Sequence, residues 1–219
     1  MCNSYGLGGY LHDGEEPRNP LRPLDQRESE RAIAEWAQGR DGRAAITGSK
    51  ARNLNPIIRA AEDGDRELVF GWWWLWLDGS GPVKFSAFNS RDDRLLRSWK
   101  KPFQRRALLP ASWYVEKKGR FALPDGEQFG IAAVTSTVTT DDGELTTYSM
   151  VTRDAPTGSE AAEYWPRMPL VLPRDEHGDW LDPEQPGDAA LVAKVQRASE
   201  GISHELTTAP LARCHRSFG

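Results

Sequence analysis

Cys2 directly follows the initiator methionine and is one of only two cysteines in the chain; the other is Cys214. Because an initiator methionine is removed when the next side chain is small, the mature chain can begin at Cys2. An N-terminal cysteine carries its thiol, with a reference pKa of about 8.5, two carbons from an α-amine whose reference pKa is about 7.7–8.0. Such a 1,2-aminothiol condenses with an aldehyde to an imine and then closes a five-membered thiazolidine ring through sulfur. The sequence therefore offers covalent chemistry toward an aldehyde, with a chance cysteine at the second codon as the alternative.

The composition sets limits on the class of protein. The chain has 219 residues, of which 38% are apolar and 27% are charged, enough for one large domain or two small ones. The two cysteines stand at opposite ends of the chain without metal-ligand spacing, and no apolar run indicates a signal peptide or a membrane span. We therefore expect a cytoplasmic protein that acts as a monomer, needs no metal or cofactor and does not associate with a membrane.

The charge is distributed unevenly along the chain. The formal net charge is -4, but residues 97–120 contain eight basic residues against one acidic residue, Glu116, and so carry +7. We call these residues the basic segment. A basic segment in an acidic protein is what a phosphate-binding groove requires, although a solvated charged surface gives the same pattern.

Three segments have the pattern of helices, which would flank the core. In residues 24–39 Asp25 is the expected N-cap, Glu28 completes a capping box, and Ile33, Trp36 and Ala37 share one face. Residues 90–101 read as a short helix capped by Ser90, with the core-facing side chains Leu95, Leu96 and Trp99. A third helix is expected over residues 188–201.

The remaining periodic segments predict strands. Residues 67–77 are rich in aromatic side chains and stop at the turn Asp-Gly-Ser-Gly, which favours a strand. Residues 105–124 and 129–153 read as strands joined by turns at Lys-Lys-Gly and Thr-Asp-Asp-Gly-Glu, which gives at least two hairpins. With no internal repeat or linker, the sequence predicts one α+β domain over residues 1–219. Its core would be a largely antiparallel curved sheet or open barrel with a few peripheral helices.

An ordered set of motifs accompanies Cys2. It consists of Asn89 with Arg91, Arg105 with Arg106, Pro110, Glu116, and the run Arg167, Met168, Pro169. In order and approximate spacing this set resembles the SOS response-associated peptidase (SRAP) family of abasic-site processing proteins. The family pattern runs from Met-Cys-Gly-Arg through Asn-x-Arg and Arg-Arg-Cys-Leu-x-Pro to Glu and His-x-Arg-Met-Pro. The resemblance extends over nearly the whole chain.

The departures from the family pattern are specific. Asn3 and Ser4 replace Gly-Arg, and Ala107 replaces a cysteine that is common in the family. Trp165 stands at the position of the family's histidine, and none of the four histidines, His12, His177, His204 and His215, restores the motif. Indole has no basic nitrogen, so Trp165 cannot take over acid-base work.

The resemblance implies roles for the residues that match. The family is understood to form a thiazolidine with the open-chain aldehyde of an abasic site, preferentially in single-stranded DNA and in the SOS response. By this likeness Cys2 is the nucleophile, Asn89 orients the Cys2 amine or the sugar oxygen, and Glu116 moves protons. The alternatives are a turn residue at Asn89 and a surface carboxylate at Glu116.

The same resemblance implies a set of DNA-binding residues. Guanidinium groups would bind phosphates that flank the lesion, and we assign this role to Arg91, Arg105, Arg106 and Arg167. The alternative for the arginines is ion pairing within the protein. Most of the nine tryptophans are expected in the core, and Trp74 is the one expected near the site, where it could stack on an unpaired base.

Three functions remain open from the sequence. The preferred one is a DNA-repair enzyme that links covalently to abasic DNA through Cys2, with lyase or hydrolase turnover. The second is an N-terminal cysteine peptidase or amidase, as the family's name suggests. The third is a single-stranded DNA-binding module that has lost catalysis together with the histidine.

Overall fold

The computed structural model describes residues 2–7, 27–40, 45–48, 52–78, 81–83, 87–117 and 119–210. Within these residues the strands, in chain order, are β1 Ser4–Gly6, β2 Ala45–Thr47, β3 Leu54–Ala60, β4 Arg66–Trp72, β5 Asn89–Arg91, β6 Arg106–Ala111, β7 Trp113–Glu116, β8 Gly119–Ala122, β9 Phe129–Thr140, β10 Gly143–Asp154, β11 Arg167–Pro169, β12 Val171–Leu172 and β13 Thr207–Pro210. The helices are α1 Arg27–Gln38, α2 Glu160–Tyr164, α3 His177–Leu181 and α4 Ala189–Glu205.

Five long strands close into a barrel. β4, β3, β6, β9 and β10 are hydrogen-bonded in that order, and a parallel pairing of Thr147 in β10 with Trp72 in β4 closes the ring. The other pairings in the ring are antiparallel, and the short strands β5, β11 and β12 extend it. The expected α+β class and the largely antiparallel, barrel-like core are confirmed.

A second, antiparallel sheet has the strand order β13-β8-β7-β1-β2. It is joined to the barrel through Ser112, which separates β6 from β7 and donates its backbone N–H to Gly6 at 2.8 Å. The chain start therefore lies inside this sheet, with β1 between β7 and β2.

The alternation of side chains along the barrel strands produces two cores. Along β6, Ala107 and Leu109 join the cluster that contains Cys2, Tyr5 and residues of both sheets, whereas Leu108 joins the cluster packed under the helices. All of β6 is buried because both of its faces are covered. The barrel thus supports the second sheet on one side and the helices on the other.

The helix predictions are partly confirmed. α1 buries Ile33 and Ala37 and half-buries Trp36, as expected, while the expected cap Asp25 lies outside the described residues. α4 begins after Asp188, whose carboxylate accepts the Leu191 N–H, and continues past Gly201.

The prediction of a helix capped by Ser90 is wrong. Ser90 lies in β5 and donates its hydroxyl to Ser149, and the following residues form only 3₁₀ turns. Leu95 and Trp99 are buried as expected, but Leu96 is 41% exposed.

The aromatic segment at residues 67–77 is only partly a strand. β4 ends at Trp72, and the chain then bends, so that Trp74 donates its backbone N–H to the carbonyl of Trp72. Within the described part of the chain, no helix is long and apolar enough to cross a membrane.

Candidate active site

Strand β1 carries Cys2 into the interior. The strand pairs with β7 in the register Ser4–Val115 and Tyr5–Tyr114, which brings the chain start alongside the end of β7. Cys2 is 1% exposed, and its Sγ donates to the carbonyl oxygen of Ser4 at 3.5 Å. The thiol is therefore held next to β7 rather than on the surface.

Asn89, the first residue of β5, contacts Cys2 directly. Its Nδ2 donates a hydrogen bond of 2.8 Å to the carbonyl oxygen of Cys2, across 87 positions of sequence. Its Oδ1 is buried and forms no hydrogen bond within the described residues. A buried oxygen of this kind can accept a hydrogen bond from an N-terminal amine or from a substrate hydroxyl.

Glu116 is the last residue of β7 and is 3% exposed. Burial raises the pKa of the Glu116 carboxyl, and the charge of Lys117 acts in the opposite direction. Burial also raises the pKa of the Cys2 thiol to about 12, with a further increase from the charge of Glu116. The thiol is thus protonated at neutral pH, next to a carboxyl group whose pKa is itself above its usual range.

Tyr114 belongs to the same site and was not predicted from the sequence. Its ring is fully buried, and its hydroxyl forms no hydrogen bond within the described part of the chain. Burial raises the pKa of Tyr114 well above 10, and the charges of Cys2 and Glu116 raise it further. A tyrosine in an apolar strand looks like a core residue, so only the pairing with β1 marks it as part of the site.

Trp165 follows α2 and faces the turn between β7 and β8. The Lys117 Nζ lies 3.7 Å from the centroid of the Trp165 ring. Lys117 has a φ of 55°, the left-handed region that favours glycine, and such conformations recur at functional sites. The indole N–H of Trp165 is buried and forms no hydrogen bond among the described residues.

The two described histidines lie in α3 and α4. His177 is buried, its Nε2 lies 3.1 Å from the carbonyl oxygen of Leu172, and burial lowers its pKa to about 4. His204 is exposed near the end of α4, while His12 and His215 lie outside the described residues.

Two of the predicted DNA-binding arginines are exposed or partly exposed but bind acidic side chains. Arg91 forms a bidentate pair with Asp93, with both N···O distances at 2.8 Å. Arg167 donates to Asp154 at 2.7 Å and to Thr152, and lies 3.5 Å from Asp92. Arg167 is therefore mainly part of the β10–β11 framework.

The structure corrects the DNA-binding role predicted for Arg106. It is 6% exposed, and its guanidinium donates to the carbonyl oxygens of Trp180, Phe103, Asp182 and Gln185. These four acceptors leave it no free face for a phosphate. Its function is to connect the start of β6 to α3 and the segment after it.

The structure also corrects the base-stacking role predicted for Trp74. Its side chain is 4% exposed, packs against Phe88 and donates its indole N–H to the carbonyl of Val83 at 3.3 Å. A buried ring cannot stack on a base from solution. Of the predicted DNA-binding set, Arg105 alone is exposed without an ion pair inside the described part of the chain.

A known protein family matches most of the chain. A family model described as "SOS response associated peptidase (SRAP)" matches residues 26–213. The chain belongs to the SRAP family. Membership of SRAP supports a role related to DNA damage. The match starts after Cys2, so it is the β1–β7 pairing that connects Cys2 to the matched SRAP domain.

Solved structures share the SRAP fold at low sequence identity. A protein from Bordetella bronchiseptica is 19% identical with a TM-score of 0.65, and the match covers 96% of this chain and 99% of that one. A protein from Bacteroides thetaiotaomicron is 20% identical with a TM-score of 0.55, covering 69% and 71% of the two chains. A phage-related protein from Bordetella bronchiseptica is 19% identical with a TM-score of 0.55, covering 78% and 82%. These likenesses show the fold alone.

No curated protein matches the sequence.

Proposed function

We propose that this SRAP protein binds single-stranded DNA that contains an abasic site and forms a thiazolidine with its aldehyde through Cys2, once Met1 has been removed. The observation that carries the proposal is that half-buried Asn89 and buried Glu116 both lie beside buried Cys2: Asn89 donates to the Cys2 carbonyl oxygen, and the charge of Glu116 acts on the Cys2 thiol. These residues lie far apart in sequence, and each has a distinct task in aminothiol chemistry.

The reaction combines one aldehyde and one aminothiol and releases one water. The α-amine of Cys2 attacks the aldehyde carbon, and the resulting carbinolamine loses its oxygen as water to give an imine. The thiol then adds to the imine carbon, forming the C–S bond, while the thiol proton is transferred and the nitrogen gains a proton. With Met1 retained, the Cys2 nitrogen is an amide and the first step cannot occur.

Glu116 is suited to the proton transfers. A carboxyl group with a raised pKa can donate a proton to the departing oxygen and then, as carboxylate, accept the proton of the Cys2 thiol. Because burial keeps the thiol protonated, the sulfur needs such a base before it can add to the imine.

Asn89 is suited to orienting the chain start. Its Nδ2 holds the Cys2 carbonyl, and its Oδ1 has no partner among the described residues. After removal of Met1, the free α-amine belongs to Cys2, the residue whose carbonyl group Asn89 already binds. This preorganisation limits the orientations open to the attacking nitrogen.

The electrostatics argue against a cysteine peptidase. A nucleophilic thiolate requires a lowered pKa, usually from a neighbouring histidine or another positive charge, whereas burial raises the pKa of Cys2. In the thiazolidine mechanism sulfur acts second and within one molecule, so a resting thiolate is not needed.

The test is incubation of processed protein with a single-stranded oligonucleotide containing one abasic site. A heat-stable adduct that requires the aldehyde supports the proposal. Peptide turnover without an adduct would favour the peptidase, and reversible, salt-sensitive binding alone would favour a binding module.

A further inference from the structure

Trp73 lies in the bend directly after β4 and is fully buried. Its indole N–H donates a hydrogen bond of 2.6 Å to the carbonyl oxygen of Phe88. The backbone N–H of Met150, in β10, donates to the same oxygen at 2.9 Å. Because Phe88 directly precedes Asn89, these two donors fix the peptide group from which the Asn89 side chain reaches Cys2.

The same indole ring packs against β1, the strand that follows Cys2. The Tyr5 ring contacts it edge to face, with 5.2 Å between the centroids, and the Tyr148 ring stacks on it at 6.2 Å with an interplanar angle of 4°. The hydroxyl groups of Tyr5 and Tyr148 share a hydrogen bond of 2.8 Å, and both rings are fully buried. Since Tyr5 is only three residues from Cys2, these contacts restrict the position of the chain start.

The Phe88 ring adds a third contact, edge to face with Trp73 at 5.9 Å between the centroids. We call the four side chains of this group the aromatic clamp: Tyr5, Trp73, Phe88 and Tyr148. Edge-to-face and stacked arrangements are favourable geometries for aromatic pairs. The two ends of the Asn89–Cys2 hydrogen bond belong to different parts of the chain, and one tryptophan contacts the neighbours of both. Because protein interiors are close-packed, a change in this ring moves both ends.

We infer that Trp73 is a positioning residue, which keeps the Asn89 amide and the Cys2 backbone in the contact that the reaction needs. The inference rests on the proposed function for the identity of that reaction. Trp73 is fully buried and cannot touch a DNA substrate, so it acts only through the groups that it contacts. A misplacement of about 1 Å, even from a change far from the chemistry, costs up to about 10²-fold in rate.

The experiment compares formation of the adduct on abasic single-stranded DNA by the native protein, Trp73→Phe and Asn89→Ala. Phenylalanine keeps an aromatic ring but is smaller and has no N–H to donate. Trp73→Phe should lower the maximal rate by about 10-fold to 10²-fold. The DNA concentration that gives half the maximal rate should stay the same, because the side chain does not reach the surface. In the Asn89→Ala background, Trp73→Phe should have much less effect, because the contact that it positions is already lost.

Trp180 provides the matched control. It is also fully buried, and its indole N–H donates a hydrogen bond of 2.8 Å to the carbonyl oxygen of Ala107. Its ring packs against Phe103 in the cluster under the helices. Trp180→Phe should lower the urea midpoint of unfolding, as Trp73→Phe does, but should leave the maximal rate unchanged. Equal rate losses in the two folded variants, or an unchanged rate in Trp73→Phe, would overturn the inference.

A second readout does not depend on adduct formation. The side-chain amide of Asn89 gives an NMR signal that is identified by its loss in Asn89→Ala, and the hydrogen bond to the Cys2 carbonyl slows its hydrogen exchange. Trp73→Phe should shift this signal and accelerate its exchange, whereas Trp180→Phe should do neither. The same exchange rate in both variants would contradict a positioning role.

Tyr148→Phe is the milder variant if Trp73→Phe does not fold. It removes the hydroxyl partner of Tyr5 and keeps both rings, so it should change the adduct rate and the Asn89 exchange in the same directions by smaller factors. No change in either would overturn the inference. A native protein that forms no adduct would refute the proposed function, and the exchange measurement would still decide the role of Trp73. Native adduct formation with equal rates and equal exchange in Trp73→Phe and Trp180→Phe would refute only that role.

Discussion

The ammonium group of Lys117 lies 3.7 Å from the centroid of the Trp165 ring, directly after the buried carboxyl group of Glu116 in sequence. A cation over a tryptophan face is attracted by about 0.5–1 kcal/mol at an exposed site. Ammonium and indole groups both donate hydrogen bonds, and neither indole nor a protonated lysine can accept a proton. The motif order predicts that Trp165 stands where the family pattern has a histidine, and by that prediction hydrogen-bond donors replace the imidazole.

Replacing Trp165 with histidine should accelerate both formation and release of the DNA adduct. An imidazole restores a group that both accepts and donates protons, and such groups contribute about 10²–10⁴-fold in rate. The equilibrium between thiazolidine and aldehyde should change much less, because a catalyst lowers the barrier in both directions. Time courses of adduct formation and of transfer to an aldehyde trap measure the two rates.

Trp165→Phe is the matched control. It keeps an aromatic face for Lys117 but has no nitrogen, so it should accelerate neither step. If the native protein already forms and releases adducts rapidly, and histidine changes neither rate, another group transfers the protons and Trp165 does not limit catalysis.

Tyr114→Phe should slow adduct formation while leaving the fold as stable as before or slightly more stable. The hydroxyl is buried without a partner among the described residues, so its removal costs no hydrogen bond within them. Unfolding in urea gives the stability and adduct time courses give the rate. A marked loss of stability with an unchanged rate would make Tyr114 a structural residue only.

Glu116→Gln should stabilise the fold at neutral pH and slow adduct formation. Burial raises the folded-state pKa of Glu116, so its charged form is less favourable in the folded state, and stability is lost as pH rises through that pKa. The glutamine side chain of the variant does not ionise, so the variant does not lose this stability as the pH rises. The gain in unfolding free energy should be present at pH 7 to 8 and vanish below the ordinary carboxyl pKa of about 4.3. A variant less stable than the native protein at every pH would contradict this account.

His177 should make the protein sensitive to acid. Burial lowers the pKa of His177 to about 4 in the folded protein. In the unfolded chain the same imidazole binds a proton as the pH falls below about 6.5, so acid favours the unfolded state. The predicted loss is roughly 3 kcal/mol of unfolding free energy between pH 7 and pH 4. His177→Asn should lose less over the same range in urea unfolding, and equal losses in the two proteins would exclude His177 as the cause.

Strand periodicity was readable from the sequence because hairpin turns and alternating apolar residues mark β6 to β10 locally. The end of β4 could not be predicted, because the aromatic run continues through the bend after Trp72 and its side chains pack in three different clusters. Leu96 was placed in the core on helical spacing, but the 3₁₀ turns expose it.

The sequence did not show which arginines face the solvent and which face the interior. Arg105 and Arg106 are neighbours and so point to opposite sides of the chain, but sequence does not say which side faces the interior. The carbonyl groups that bind Arg106 belong to Phe103 and to residues 180–185, mostly far along the chain. The grouping of Cys2, Asn89 and Glu116 was expected from the resemblance to the SRAP family, whereas Tyr114 was missed because its contacts depend on the β1–β7 register.

The central claim is that the α-amine of Cys2, and not its thiol alone, forms the link to abasic DNA. The most direct measurement is the yield of heat-stable adduct from three proteins: the processed native chain, Cys2→Ser, and a variant with a leucine inserted between Met1 and Cys2 that blocks removal of the methionine. We predict an adduct from the native protein and none from the other two. An equal yield from the blocked protein, in which Cys2 keeps its thiol but has no free amine, would contradict the aminothiol mechanism.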